Sequence, residues 1–556
     1  MKRVALALSL VAALACGDDD RVEVDSGLGD GGPTDMGGRD ARPREYDAFT
    51  PDLGPLPERC GADAMFFMDE FGRMAYCIYV AQDGDDEEGE GTPDAPYATV
   101  QRGIDVAIAR GVATGRIHAV AVSRGTYTGR VELADGVSLY GGYDADDGWS
   151  RGEGNETAIE GAEPQDGRIE GMVAEGIGAP TVVESFTIRG RTARFDTRGV
   201  DIYGIRVVDS EPVLEDLGGL ILRNLVVVAG NGSRGEDGVT GASGAMGNIG
   251  GTGDDGDTGS DGDRTPGGAG SVSECDGMSA PRTEGGAGGE GGGDNLSGCG
   301  TGREDAQPGG APPMLPSCGG GSAGDACSCV SPIDYDGEPG GVGSVCSDEP
   351  AASGTNAPAP TLRGEVDGLV WAGRDGGVGT VGTHGYGGSG GGGGGSGCNA
   401  GGFGPTGGGG GGGGSGGCGG HPGSGGQAGG SSFALFAVGS IFEVVESTFT
   451  SGTGGDGGAG ADGGPGGPGG PGGPAGSGGY AGGIGGAGQV GGTGGSSAGG
   501  AGGSSVAVLL CESEATGVTL DGLEAGWVGD GGAASSGGGA GGLEGFSGPV
   551  HEGCSL

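Results

Sequence analysis

The chain has 556 residues, 154 of them glycine and 28 proline, and its 76 acidic side chains against 27 basic ones leave a net charge of −49. That balance excludes the positive surface needed to hold nucleic acid or anionic lipid. Glycine builds no side-chain core, so a packed interior has to come from the apolar segments between the glycine tracts.

At the start, Lys2 and Arg3 precede an apolar run from Val4 to Ala15, too short for a membrane span, and Cys16 follows the small residue Ala15. The "ALAC" junction resembles the lipobox of bacterial lipoproteins, with Ala13 where leucine is usual. The resemblance implies a signal peptide over 1–16 and acylation of Cys16. With Gly17 rather than aspartate next, it also implies an outer-membrane lipoprotein, exposed at the surface or in the periplasm. No later stretch approaches the roughly 18 apolar residues of a span, so the lipid is the expected anchor. Beyond Cys16 lie Cys60, Cys77, Cys275, Cys299, Cys318, Cys327, Cys329, Cys346, Cys398, Cys418, Cys511 and Cys554, an even number in an oxidising compartment. They are expected to pair as disulfides, with Cys60 and Cys77 closing a short loop. Only Cys327-Ser-Cys329 has metal-like spacing and the histidines are isolated, so no metal or other cofactor is expected.

Residues 17–59 carry acids, proline and glycine without apolar periodicity and read as a solvated tether. Thr99 is placed to cap a short helix whose apolar positions Val100, Ile104, Ala107 and Ile108 precede Gly111. Short alternating runs follow at His118–Val122, Val131–Leu133 and Val137–Leu139, separated by turns too short for crossover helices. Such strands suit a chain winding into stacked coils. Here "GTPDAPYATVQRGIDVAI" and "VAVSRGTYTGRVELADGVSLYGGYD" resemble the first coil of the pectin-lyase-like right-handed β-helix of bacterial surface proteins, over roughly residues 80–230. The resemblance implies that fold. It does not extend to activity, because no Trp-x-Asp-His, Arg-x-Pro-x-x-Arg or paired Gly-His-Gly segment is present, and no catalytic residue is assigned.

The expected organisation is therefore all-β: a cap and β-helix coils over 60–230, with further coils at 361–372, 431–451 and 504–528. Glycine-rich insertions fill 231–360, 373–430 and 452–503, and a glycine-rich tail covers 529–556. Gly430-Ser-Ser-Phe-Ala-Leu-Phe aligns with Gly503-Ser-Ser-Val-Ala-Val-Leu at a period of 73, so a coil recurs and extrudes a glycine loop each time.

Within those loops glycine holds every third position from Gly232 to Gly262, from Gly373 to Gly397, and from Gly452 to Gly494 except at Ala461. Three residues per turn is the period of polyproline II. Three states share that spacing: a collagen triple helix, flexible disorder, and polyglycine II rods packed edge to edge, which disulfides among the tracts would favour. "GGTGDDGDT" (250–258) and "GGAGADGGP" (457–465) resemble part of a calcium-binding β-roll repeat, but put Asp257 and Gly464 where that repeat needs an apolar residue. Asp254, Asp255, Asp257, Asp261 and Asp263 read as a solvated acidic loop, with weak calcium ligation through their carboxylates as the alternative. Taken together, the sequence points to a non-enzymatic envelope lipoprotein with a structural or adhesive role, its partner classes being surface polysaccharide or another cell-surface protein. Two rivals are a polysaccharide-binding or polysaccharide-degrading β-helix, marked by clustered acids with an exposed base, and an ice- or surface-binding protein, marked by regular Thr or Ala ladders.

Overall fold

The structure, a computed structural model, describes residues 59–556 apart from 153, 195, 214–217, 258–262, 277, 294–304, 316–317, 326–338, 347–348, 398–403 and 519–521. Strands β1 (Phe66–Met68) and β2 (Met74–Val80) form an antiparallel hairpin, helix α1 (Val100–Thr114) follows, and β3 (Ile117–Ser123) returns parallel to β2. Thr99 caps α1 by accepting the Arg102 N–H on its hydroxyl. The helix runs past Gly111 to Thr114 and stops at Gly115, whose left-handed φ of 68° costs glycine nothing. Val100, Ile104 and Ala107 are its buried stripe.

The chain then passes through β4 (Gly125–Thr128), β5 (Val131–Glu132), β6 (Ser138–Asp144), β7 (Ser150–Arg151), β8 (Thr157–Glu160), β9 (Arg168–Glu175), β10 (Thr181–Arg189), β11 (Asp201–Val208) and β12 (Leu220–Val228). Beyond the first insertion come two small hairpins, β13 (Glu274–Cys275) with β14 (Met278–Ser279) and β15 (Gly364–Asp367) with β16 (Val370–Gly373). The last passes are β17 (Ser432–Val438), β18 (Ile441–Val445), β19 (Thr448–Thr450), β20 (Ser505–Cys511), β21 (Glu514–Thr516), β22 (Leu523–Glu524) and β23 (Ser547–Glu552). Two sheets result. The first runs β1-β2-β3-β6-β10-β12-β18-β21 and is parallel except at β1–β2 and β6–β7. The second runs β23-β20-β17-β11-β9-β5 and is parallel throughout. Among the described residues the fold is thus all-β with one α-helix.

A single apolar cluster draws Val120, Leu139, Val183, Leu222 and Val444 from the first sheet and Met172, Ile205, Leu435 and Val508 from the second. Each leaves essentially no surface to water, and full burial of such a side chain contributes about 1.5–3 kcal/mol. The turns between sheets are built in stacks. Gly176, Asp209, Gly439 and Glu512 follow paired positions of β9, β11, β17 and β20, and all four take positive φ. One residue on, the Oγ of Ser210, Ser440 and Ser513 each donates to a carbonyl two residues back and accepts an N–H from the turn after a neighbouring strand, from Ile177, Ser210 and Ser440 respectively. A second stack of positive φ passes through Ser185, Asn224 and Glu446.

Two expectations need correcting. Residues 361–372 do not add a pass to either large sheet: β15 and β16 form a separate antiparallel hairpin, β15 bridges to Ser555 and bonds to Cys554 and Leu556 near the C-terminus, and Trp371 packs on Tyr203 and Phe433 from the second sheet. Val366 and Trp371 share the hairpin face that covers those rings, which suits a lid better than a strand buried on both faces. The 529–556 tail is not only glycine-rich, since β23 extends the second sheet beside β20.

The glycine tracts lie beside one another as extended rods, and their hydrogen bonds run between rods. Around the central tract, residues 407–420, the pattern is complete. Gly409, Gly410 and Gly411 donate to the carbonyls of Asp254, Gly289 and Gly483, while their own carbonyls accept from Gly476, Gly268 and Gly391. One turn of three residues therefore bonds to six different rods. The next turn repeats this: Gly412, Gly413 and Gly414 donate to Gly251, Gly286 and Gly486 and accept from Gly473, Ser271 and Gly388. A Cβ at Gly409, Gly410 or Gly411 would fall on the carbonyl of Pro266, Gly391 or Gly473, closer than real Cβ atoms come. Glycine content follows packing: nearly every residue in the central rod, two in three along 463–473, and one in three along 232–250 at the boundary.

The rods continue the sheet ladders without a slip. Ala229 donates to Thr450 beside β12 and β19, then Gly232 to Thr453, Gly235 to Asp456, and so on by threes to Gly256 and Ser477. Likewise Ser432 donates to Ser504 at the head of β17 and β20, and Gly429, Gly426 and Gly423 carry that spacing back to Gly408 and Tyr480. The 73-residue period is therefore the register of two successive passes, each a rod joined to a strand. Replacing Gly411 by alanine should destabilise the protein by about 1–3 kcal/mol or more, as for other overpacked interiors. Gly319→Ala, where nothing stands within 4 Å, should be near neutral. Thermal unfolding of the two variants checks the contrast.

Candidate functional surface

Ion pairs cover the outward faces of the sheets. On β10, Glu184 is 2% exposed and meets Arg151 at 2.7 Å and Arg59 and Arg223 at 3.2 Å each. Glu70 bridges Arg59 at 3.0 Å and Arg223 at 2.9 Å. Burial works against the Glu70 carboxylate, yet its bonds to Arg223 and Arg59 hold it below the usual carboxylate range. On the second sheet, Glu170 is 3% exposed and meets Arg206 at 2.6 Å and Arg130 at 3.2 Å. These acids and bases are committed to one another. A glycosidase pair needs instead a carboxylic acid and a carboxylate facing a sugar, and these clusters offer no such opening.

Two clefts flank Gln82. One, of about 310 Å³, is lined by Thr99, Gln101, Thr126, Thr128 and Arg130; the other, of about 510 Å³, by Asp83, Arg124, Asp146 and Glu156. Most of their charges are also paired, Arg124 with Asp144 at 3.0 Å and Asp146 at 3.1 Å, and Glu156 with Arg189 at 2.6 Å, while Asp83 has no ion pair among the described residues. The start of α1, where an anion would bind, is occupied by the chain's own Asp86, which accepts the N–H groups of Ala98 and Thr99 and the Thr99 hydroxyl.

The rods present a different surface. Between residues 238 and 253, and again between 463 and 511, the chain has no charged side chain at all. Along the edge where 232–256 meets 453–477, residues 222 apart face each other. Asn231, Asp237 and Asp255 accept the N–H groups of Thr453, Ala459 and Ser477 at 2.7–2.8 Å. Where the partner position is Pro465, Pro468, Pro471 or Pro474, no N–H exists, and the residues opposite are Ser243, Met246, Ile249 and Thr252. The prolines are exposed, as are Met246 at 63% and Ile249 at 59%. The result is an uncharged face with side chains repeating about every 9 Å, three residues of polyproline II rise. Asp255, read from sequence as a weak calcium ligand, spends Oδ1 on the Ser477 N–H and hydroxyl, which hold its carboxyl below the usual range. Sequence reading missed these acceptors. No local signal marks them, because each partner lies 222 residues further along the chain.

Cys16 lies outside the described residues, as do Cys299, Cys327, Cys329 and Cys398. The other cysteines pair as Cys60–Cys77, Cys275–Cys418, Cys318–Cys346 and Cys511–Cys554. His384 stands within 4.8 Å of the Cys275 and Cys418 sulfurs. Bonded to each other, those sulfurs carry no thiolate for a metal, and the His384 Nδ1 accepts the Gly419 N–H at 3.0 Å.

Cys275–Cys418 ties β13 to the central rod across 143 residues. Replacing both by serine should cost about 2–5 kcal/mol. Amide exchange should accelerate in 268–292 and 407–420 before it does in β9–β12, as mass spectrometry of exchanged peptides can check. Asp201, where β11 meets the central tract, accepts the Ser431 N–H at 2.6 Å. Burial pushes its carboxyl up to about 7, against the pull of Ser431 and Arg168. The folded state thus keeps a proton that the unfolded chain releases near pH 4. Stability from this group is greatest below that pH, falls as pH rises toward 7, and is flat above. Asp201→Asn should remove this component, so its stability relative to the parent should rise between pH 4 and pH 7.5 in denaturant titrations.

Compared with known proteins, the chain matches no family model, no curated protein and no solved structure.

Proposed function

We propose that this is a non-enzymatic envelope lipoprotein: acyl-anchored at Cys16, tethered by residues 17–59, and built as a right-handed parallel β-helix carrying a polyglycine II bundle that serves as a stiff adhesive element. The observation that supports it best is the uncharged face along Ser243, Met246, Ile249 and Thr252 and the prolines from Pro465 to Pro474, on a chain with a net charge of −49. A surface that leaves out charge while the rest of the molecule is acidic suits contact with a neutral, extended partner such as an uncharged polysaccharide or the wall of a neighbouring cell. The ordered rods add reach at little entropic cost on contact, because their conformations are fixed before binding.

Degradation of polysaccharide has less support, since the acids on the sheet faces are paired and covered. The ice-binding alternative called for uniform Thr or Ala ladders, and the exposed row mixes Ser, Met, Ile and Thr with a row of proline. Two measurements test the proposal. Fatty-acid labelling should mark the wild type and be lost in Cys16→Ser. Met246→Asp with Ile249→Asp should reduce adhesion of expressing cells to neutral polysaccharide films several-fold without lowering the melting temperature. Equal adhesion would refute the adhesive role, and label persisting in Cys16→Ser would refute the anchor.

A further inference from the structure

The hairpin of β1 and β2 ends the first sheet and leaves one side bare. Phe66 pairs with Tyr76 and Met68 with Met74, so these four side chains share a face. Phe66 is 55% exposed, Met68 61% and Met74 46%, and Met65, which precedes Phe66 in the chain, is 51% exposed. The Phe66 and Tyr76 rings lie 5.9 Å apart, and the Arg116 guanidinium stands 4.6 Å from the Tyr76 ring. Two nearby acids are engaged, Asp69 with Arg73 at 2.7 Å and Glu70 with Arg59 and Arg223, while Asp63 is exposed. The patch is therefore apolar, with the Arg116 guanidinium at its edge.

Its position on the chain identifies what covers it. Residues 1–58 precede the described structure, and their last residue adjoins Arg59 and Cys60, which the Cys60–Cys77 disulfide fixes directly beside Tyr76. From Cys16 to Arg59 is 43 residues, enough chain for an acyl group at Cys16 and this patch to meet the same membrane. We infer that this patch is a membrane-docking surface: Phe66, Met68, Met74 and Met65 insert among the headgroups of a zwitterionic phospholipid bilayer, seating the domain on the membrane to which Cys16 is anchored. Thioether and aromatic side chains suit that boundary, where one side is apolar and the other wet, and Arg116 lies within reach of phosphate. The inference rests on the lipid-anchor reading for its biological setting, but the docking can be measured without the acyl chain.

The purified chain beginning at residue 16 and carrying Cys16→Ser is mixed with phosphatidylcholine–phosphatidylethanolamine vesicles and floated. The expected result is measurable co-flotation that falls at least tenfold in partition coefficient when Phe66→Ser, Met68→Ser and Met74→Ser are added. In a second variant, Met68→Trp, indole fluorescence should shift to shorter wavelength on vesicle addition and be quenched by brominated acyl chains. An unchanged Met68→Trp spectrum in a folded, disulfide-intact chain overturns the proposal, as does equal flotation with and without the serines. Binding to an envelope protein extract but not to protein-free vesicles would overturn it in favour of a protein partner. Fatty-acid labelling of the wild type is scored separately, so loss of the anchor reading and loss of the docking surface give different results.

Discussion

Everything in the glycine-rich half depends on how closely two peptide backbones can approach. When rods pack so that each peptide bonds to a neighbour, a Cβ on the packed edge would occupy the position of that neighbour's carbonyl, as at Gly409, Gly410 and Gly411. The number of glycines in each triplet therefore counts the packed edges of a rod. The run "GGGGGGGG" at 407–414 is what a rod with six hydrogen-bonded neighbours needs, Gly-Gly-Pro at 463–474 leaves one edge open, and Gly-x-x at 232–250 leaves two. What resembles low complexity is a record of position in a lattice.

The open edges are handled by side chains. At the boundary of 453–477 the outward N–H groups of Thr453, Ala459 and Ser477 find Asn231, Asp237 and Asp255, and proline removes the donor at 465, 468, 471 and 474, whereas Asp456 and Asp462 retain theirs. Proline also presets φ near the value that the rod requires. An edge with few free donors is a poor template for another rod, so the pattern that satisfies most of the face also limits growth of the bundle, as edge protection does in sheets. The last strand of the second sheet is guarded in a related way. Pro549 lies in β23, and Cys511–Cys554 closes the end behind it.

Much of the sheet region was legible in the sequence. Thr99 and the stripe of Val100, Ile104, Ala107 and Ile108 announced α1, although Ile108 is exposed and the helix runs past Gly111; the alternating runs announced β3 and β5, and Cys60 and Cys77 were paired by their spacing. The 73-residue repeat turned out to be the register of β17 on β20. Less legible were features set by contacts distant in sequence. The turn serines Ser210, Ser440 and Ser513 look like ordinary loop residues until the coils are stacked. Residues 364–373 carry strand-forming side chains, and only the aromatic surface of Tyr203 and Phe433 makes them a lid. The acceptors of the rod face were invisible because their partners lie 222 residues away, across two insertions.

The union of strands and rods has a physical reason. An extended rod of this kind has no internal hydrogen bonds, so it gains nothing until several neighbours are already in place, while each ordered residue costs about 1–2 kcal/mol of backbone entropy. A free glycine tract would meet that cost before any compensation. In this chain the strands supply the missing first step. The apolar core fixes β12 against β19 and β17 against β20, and the ladder then runs on from Ala229 and Thr450 to Gly232 and Thr453 with its register already set. Each further triplet adds its bonds to a row that exists, much as a helix propagates once nucleated. At the far side, Cys275–Cys418 and Cys318–Cys346 shorten the loops that the unfolded chain could explore. The core and the disulfides thus bracket the rods from both ends, so glycine, the residue that loses most on ordering, can build the ordered half of the molecule.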